Sequence, residues 1–577
     1  YEPFNPRLVE PTDIAEPGEA RLSPSMRDMT LDQVMDAFER AIELTPVLGE
    51  LGWEERRSFN GLLSITPDSS SIIGESTEVK NLWLCEAVWV KEGPGAGKLL
   101  AEWMTHGRTS MDPHSVDSAR HYPIQKGDDY VRSRCYESAQ KIYTPAVHPR
   151  EPFATSRGMR VSPFYEREVA LGGYFMEVAG WERAHAYAAN EPTLLSKYRD
   201  QVPTREAEWD NRHFWEVSNA EQLALSDGVG MINLSHFAIF DVEGADAESL
   251  MEYLSVAKVG TDTAIGKGVY THFLDQAGGI RSDLTIIRLA TDCFRVVCGG
   301  DTGHRDYIWM RNMSDKRGFA NVTFHDRSEQ LATLGLWGPD ARVTLAKLMD
   351  DPESISNEAF PFATTKEIVV CGVKVWAFRI SYVGEQGWEL YFPFSDGLGI
   401  WDALFDLGVT PVGIETYANS RRLEKSLRLQ NADLEIEYNL YEAGLARPKV
   451  KAADFHGKEA YVQQRELQTQ AAYLCTFELG DTTDSNGVIR YPVGNWPILD
   501  RDTKDVIVDS HGRRSYTTSM AYGPSLGKNI AMGYLPADKA VEGDVVLIEY
   551  FGEHYDATVM KVGYGALLDP TNERPRS

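Results

Sequence analysis

Apolar residues recur at helical spacing over 31–52 (LDQVMDAFERAIELTPVLGELG), which predicts an amphipathic helix near the start of the chain. Short apolar runs follow at GLLSITP and NLWLCEAVWV and predict strands, and a further helix is expected after Gly97. From about 112 to 160 the pattern dissolves into Ser, Arg, His, Asp and Pro, as expected of an irregular connection. Helical periodicity returns at 245–258 and 396–408, alternating with two hairpin patterns, GVYTHFLDQAGGIRSDLTIIRL and VKVWAFRISYVGEQGWELYFP. Helices interleaved with antiparallel hairpins predict an α+β fold. Beyond about 465 only short strands and turns remain, which predicts a small β-barrel, and 482–513 reads as a long surface insertion. The boundaries that follow are 1–115, a connecting segment 116–160, a central domain 161–464 and a barrel domain 465–577.

Composition narrows the function classes. A net charge of −28 argues against sequence-independent nucleic-acid binding, which needs bases to neutralise phosphates. No apolar run approaches the roughly 20 residues of a membrane helix, so a soluble chain without membrane attachment is expected. The six cysteines are scattered without a C-x-x-C pair and predict reduced thiols in a cytoplasmic compartment. The 13 histidines show no metal-ligand spacing, and no metal is expected.

The run WVKEGPGAGKLLAEW invites a phosphate-loop reading, but Glu92 stands where such a loop needs its first glycine and Leu99 where it needs a hydroxyl. What survives is a glycine-rich turn, Gly93, Gly95 and Gly97, leading into a helix N-terminus that would favour an anion.

Carboxylates on the two hairpins are the stronger chemical signal. Asp283 lies in an apolar strand four residues beyond the Gly278-Gly279 turn. In SYVGEQGWELYF, Tyr382 and Glu389 flank the turn Gly384-Glu385-Gln386-Gly387. A phenol and two carboxylates held on hairpins could surround a heterocycle with adjacent N–H donors, because a carboxylate accepts two parallel hydrogen bonds.

These hairpins resemble the folate-binding aminomethyltransferase fold of the glycine-cleavage T-protein, whose motifs read G-G-x-x-x-D-x-x-V and G-Y-T-G-E-x-G-[YFW]-E. The wider chain resembles the dimethylglycine and sarcosine dehydrogenase or oxidase family, where that fold follows a flavin domain. SPFYEREVALGGYFMEVAGWERAHAYAAN, NSRRLEKSLR, YEAGL, DFHGKEAY, MAYGPSLGKNIAMGYLP and YFGEHYDATV occur in the family's order. The resemblance implies that 161–464 is a tetrahydrofolate-binding domain, with Asp283 as the catalytic aspartate beside the folate N10. It makes Tyr382 its catalytic partner, Glu389 the pterin-gripping acid, Tyr270 an aromatic lining the pocket and Arg422 a folate contact. Two positions depart from the T-protein pattern: YANSRRLE lacks the first arginine of A-R-D-x-L-R-L-E, and INLSHF has Asn233 where F-D-V-S-H has an acid.

The same resemblance makes 1–115 the closing part of a FAD-dependent oxidoreductase (α/β) domain, with Gly93, Gly95 and Gly97 beside the flavin. No G-x-G-x-x-G occurs, so the other half of the flavin fold is expected from a partner polypeptide or an absent segment. The implied activity is N-demethylation of a small methylated amine, the carbon leaving as 5,10-methylenetetrahydrofolate. Two alternatives stand beside it: a flavin-independent methyltransferase using tetrahydrofolate, and a structural subunit with relic folds.

Overall fold

In strand Ile280–Arg288 the side chains of Leu284 and Ile286 enter a core with Phe294, Val296 and Met310, whereas Asp283 points to the opposite face. That alternation organises the main body of the protein, seen here in a computed structural model. It describes residues 26–27, 29–52, 60–142, 153–204 and 213–577. The chain divides into one unit of 1–105, 115–147 and 152–157, and another of 106–114, 148–151 and 158–577.

The first unit holds the helix Met35–Leu44, the antiparallel strand pair Ile72–Glu75 and Trp83–Glu86, and the helices Gly93–His106 and Asp128–Lys141. Its core gathers Ile73, Ala96 and Leu99. The strand expected over NLWLCEAVWV stops at Glu86, where Ala87 takes a φ of +53°. In GLLSITP only Gly61 is in a strand, Asn60–Gly61. The segment expected to be an irregular connection contains the 14-residue helix Asp128–Lys141 and belongs largely to this unit. Its buried face is polar, which is why apolar periodicity misses it. Glu137 accepts the backbone N–H groups of Ala154 and Thr155, Arg134 donates to the Thr155 carbonyl, and Ser138 donates to that of Pro67.

In the second unit a five-stranded sheet runs, edge to edge, Thr323–Asp326, Ala238–Glu243, Cys293–Cys298, Ile280–Arg288, Gly268–Leu274. A six-stranded sheet runs Thr365–Val370, Val373–Phe378, Gly387–Pro393, Leu331–Trp337, Gly230–Asn233, Thr410–Pro411. Both expected hairpins form, each with its turn glycines. Gly387 has a φ of +150°, and a Cβ there would collide with the Leu336 carbonyl, so only glycine lets the strand bearing Glu389 lie against its neighbour.

The C-terminal sheet, also of six strands, is ordered Ile498–Leu499, Val545–Tyr550, Glu553–Val562, Ala472–Leu479, Lys528–Pro536, Thr517–Gly523. Its core includes Ile498 and Ile507, so part of the expected surface insertion is internal. This sheet shares one unit with 158–464.

Candidate folate site

The register of the Gly268–Leu274 and Ile280–Arg288 pair sets Asp283 opposite His272 and Thr285 opposite Tyr270, placing Tyr270, His272 and Asp283 on one face. The Tyr270 hydroxyl donates to Asp283 Oδ2 at 3.1 Å, and His272 Nε2 lies 3.3 Å from the same hydroxyl. Burial pushes the Asp283 carboxyl up to about 7 against the hydrogen bond from Tyr270, and Asp306 and Asp301 add to the rise. An acid titrating near neutrality can both hold and release a proton under physiological conditions.

The six-stranded sheet supplies the other carboxylate. Glu389 is 7% exposed, and its Oε2 accepts from Tyr391 at 2.5 Å while Oε1 lies 3.5 Å from the Tyr417 hydroxyl. Burial raises it to about 7, opposed by these two phenols. The long contact at Oε1 leaves that oxygen able to take a shorter, charge-assisted bond from a ligand N–H. Aromatic rings adjoin it: Tyr417 stands 4.9 Å from Tyr382, 5.7 Å from Trp337 and 6.1 Å from Phe237. Burial lifts the Tyr382 and Tyr417 hydroxyls above their ordinary range, and the charge of Asp283 adds to both.

Three expected roles change. The Tyr382 hydroxyl donates to the Arg428 carbonyl at 2.5 Å, so the residue contributes a ring to the wall and not a free proton donor to the acid network. Arg422 is 2% exposed and donates to Asp433 and Ser519, each at 2.6 Å, and to the Ala418 and Leu427 carbonyls. It is a buried tie between the central domain and the barrel sheet, not a folate contact. Arg422→Lys keeps the charge but loses the fork, and we expect a stability loss of about 2 kcal/mol in denaturant unfolding with folate affinity unchanged. Gly93, Gly95 and Gly97 lie inside the helix Gly93–His106 instead of in a turn before it. The N–H groups of Gly93 and Ala96 are already bonded to the Trp89 and Glu92 carbonyls and Pro94 has none, which leaves little of the expected anion site.

His272, Tyr391 and Tyr417 escape the sequence reading. Tyr391 follows Glu389 by two residues, so strand alternation alone could have placed it on the same face. Tyr417 sits in the π-helical turn Thr416–Ser420, where no simple periodicity points to it. Among the described residues no cluster of three His, Cys, Asp or Glu could hold a metal, and no helix is long and apolar enough to cross a membrane.

Three known domain families match along the chain. The FAD dependent oxidoreductase central domain covers 106–162, the GCVT N-terminal domain 164–451 and the glycine cleavage T-protein C-terminal barrel domain 494–562. Mitochondrial dimethylglycine dehydrogenase of Homo sapiens is 28% identical over 94% of this chain and 60% of its own. Mitochondrial sarcosine dehydrogenase of Mus musculus is 30% identical over 95% of this chain and 61% of its own. These domain matches and relatives tie the chain to the dimethylglycine and sarcosine dehydrogenases by similarity. The chain spans about three fifths of the length of these relatives. The crystal structure of aminomethyltransferase T from Bartonella henselae shares the fold, with a TM-score of 0.56 at 22% identity over 70% of this chain and 97% of that one. The α+β architecture implied by the hairpins is thus an aminomethyltransferase-like fold with an oxidoreductase central domain before it and a barrel after it. Asp283, Tyr270, Tyr382, Glu389 and Arg422 all fall within the T-protein match, whereas Gly93, Gly95 and Gly97 lie outside the oxidoreductase match.

Proposed function

We propose that this chain binds tetrahydrofolate between Glu389 and Asp283 and captures there the one-carbon unit from flavin-dependent N-demethylation of a small methylated amine. The observation that carries this reading is that two sheets of an aminomethyltransferase fold each carry one carboxyl raised to about 7, and that the charges of both act on the Tyr417 phenol. Glu389 fits the paired N–H donors of a pterin, because its present partners are two phenols and one of those contacts is long. Tyr382, Tyr417 and Trp337 offer ring faces for the heterocycle. Tetrahydrofolate bound there would supply the nitrogen acceptors for the carbon. Asp283, oriented by Tyr270, would take the proton that carbon transfer sets free.

FAD would serve in the oxidative half-reaction, on a surface to which a further polypeptide or segment contributes. The helix Met35–Leu44 supports this, since none of its described residues is buried and Leu44 is 87% exposed. All six cysteines are free thiols, which suits a reducing compartment such as the cytoplasm.

The test is to incubate the native assembly with candidate methylated amines, with and without tetrahydrofolate, following flavin absorbance and folate products together. The expected result is flavin reduction by one amine in both cases, with methylenetetrahydrofolate formed in the first and free formaldehyde in the second. Methyl-folate formed without flavin reduction would instead mean a direct methyltransferase. Absence of both folate binding and turnover would mean a structural subunit.

A further inference from the structure

His272 is not part of the T-protein motifs, yet it is the residue paired directly across the sheet from Asp283. It is 2% exposed, and its ring stands edge-on to Tyr270 with centroids 4.9 Å apart at 78°. Nε2 lies 3.3 Å from the Tyr270 hydroxyl, and that hydroxyl donates to Asp283 at 3.1 Å. The far nitrogen, Nδ1, is buried with no hydrogen-bond partner among the described residues.

We infer that His272 is a positioning residue that gives the Tyr270 hydroxyl its direction, turning the phenol proton onto Asp283.

A phenol carries one proton and can rotate it. Tyr270 is 37% exposed, so water competes for that proton. When Asp283 is ionised the proton belongs on the carboxylate, and the phenol oxygen is then free to accept. A histidine carrying its proton on Nε2 fills that role. The unpartnered Nδ1 sets no opposing preference, so the Tyr270 side alone selects the tautomer. The charged and titratable groups around this hydrogen-bonded series are Tyr270 and Asp283 themselves, Asp301 and Asp306, Tyr382 and Tyr417, Arg428, and Arg447, whose side chain donates to the Tyr270 carbonyl. Burial, with the charges of Arg447 and Arg428, holds the imidazole down to about 3. His272 therefore stays neutral throughout the working range, acting through its tautomer and not through its charge. Two hydrogen bonds in series strengthen one another, so the imidazole donor makes the phenol a better donor to the ionised acid.

This inference rests on the folate reading for its purpose, but its test does not need folate. The full chain is titrated without ligand, and the carboxyl band of Asp283 is followed by difference infrared spectroscopy, assigned by its loss in Asp283→Asn. The wild-type midpoint is expected near 7. His272→Phe should move it upward by about one pH unit, because the ionised acid loses the support of an oriented phenol. His272→Gln restores an N–H donor and should return the midpoint to about the wild-type value. Tyr270→Phe should produce the same upward shift, and adding His272→Phe to it should add nothing. His272→Leu replaces the phenylalanine variant if that one fails to fold.

A midpoint unmoved by His272→Phe or His272→Leu overturns the inference, as does a shift that persists in full on the Tyr270→Phe background. Tetrahydrofolate binding to the wild type is measured in parallel by calorimetry. Absence of folate binding with the expected shifts removes the proposed function alone, and intact binding with an unmoved midpoint removes the His272 role alone.

Discussion

Replacing Asp283 by asparagine is expected to slow one-carbon transfer to tetrahydrofolate by on the order of 10²–10⁴ while leaving folate affinity within a few-fold of wild type. Asparagine keeps the shape of the side chain and can still meet the Tyr270 hydroxyl, but it cannot take up a proton. The wild-type carboxyl, raised to about 7 by burial, is ionised above that value and ready to accept one. Transfer should therefore fall about tenfold per unit as pH drops below about 7 in the wild type, and this dependence should vanish in Asp283→Asn. Flavin reduction by the amine should be unchanged, so the carbon would escape as formaldehyde. Single-turnover mixing with separate detection of reduced flavin, formaldehyde and folate product resolves the steps. If Asp283→Asn abolishes flavin reduction, or transfers carbon at the wild-type rate, the acid does not stand at the carbon-accepting centre.

Glu389→Ala is expected to weaken tetrahydrofolate binding by about 2–4 kcal/mol, because a charge-assisted pair is lost and the ligand's donors are left buried without an acceptor. The pH dependence of binding carries a second signature. Pterin N–H groups need the ionised carboxylate, yet burial holds the free acid at about 7. The dissociation constant should rise up to tenfold for each unit below about 7 and level off above it, and Glu389→Gln should remove the slope. The linkage to stability has the opposite sense. A carboxyl whose folded pKa is raised contributes stability that is fully present below its unfolded value of 4.5 and is lost as pH rises through about 7. Ligand-free Glu389→Gln should accordingly be more stable than wild type at pH 8, by up to about 3 kcal/mol. Calorimetric binding across the pH range, with urea unfolding of the ligand-free proteins, checks both signs. Equal affinity of wild type and Glu389→Ala would show that the pterin is held elsewhere.

Much of this architecture is legible along the chain because it is local. Hairpins 268–289 and 373–393 announce themselves through alternation and turn glycines, and the same alternation puts Asp283 and Glu389 on faces opposite the core residues beside them. Tertiary structure decided the rest. The helix Asp128–Lys141 was hidden because its buried polar groups find backbone partners that no periodicity encodes. Arg422 reads as a ligand contact in its motif, but Asp433 and Ser519 reach it first, the latter from a strand 97 residues away in the chain. Tyr382 keeps its ring in the site while its hydroxyl is taken by the Arg428 carbonyl. Tyr417 joins Glu389 from a π-helical turn 28 residues further on, and His272 meets Asp283 only through strand register. A sequence fixes which face of its own strand a side chain takes, since that follows from a two-residue repeat. Which donor or acceptor it meets there depends on groups brought in from distant segments, and buried hydrogen-bonding groups take whichever partner the packed chain provides.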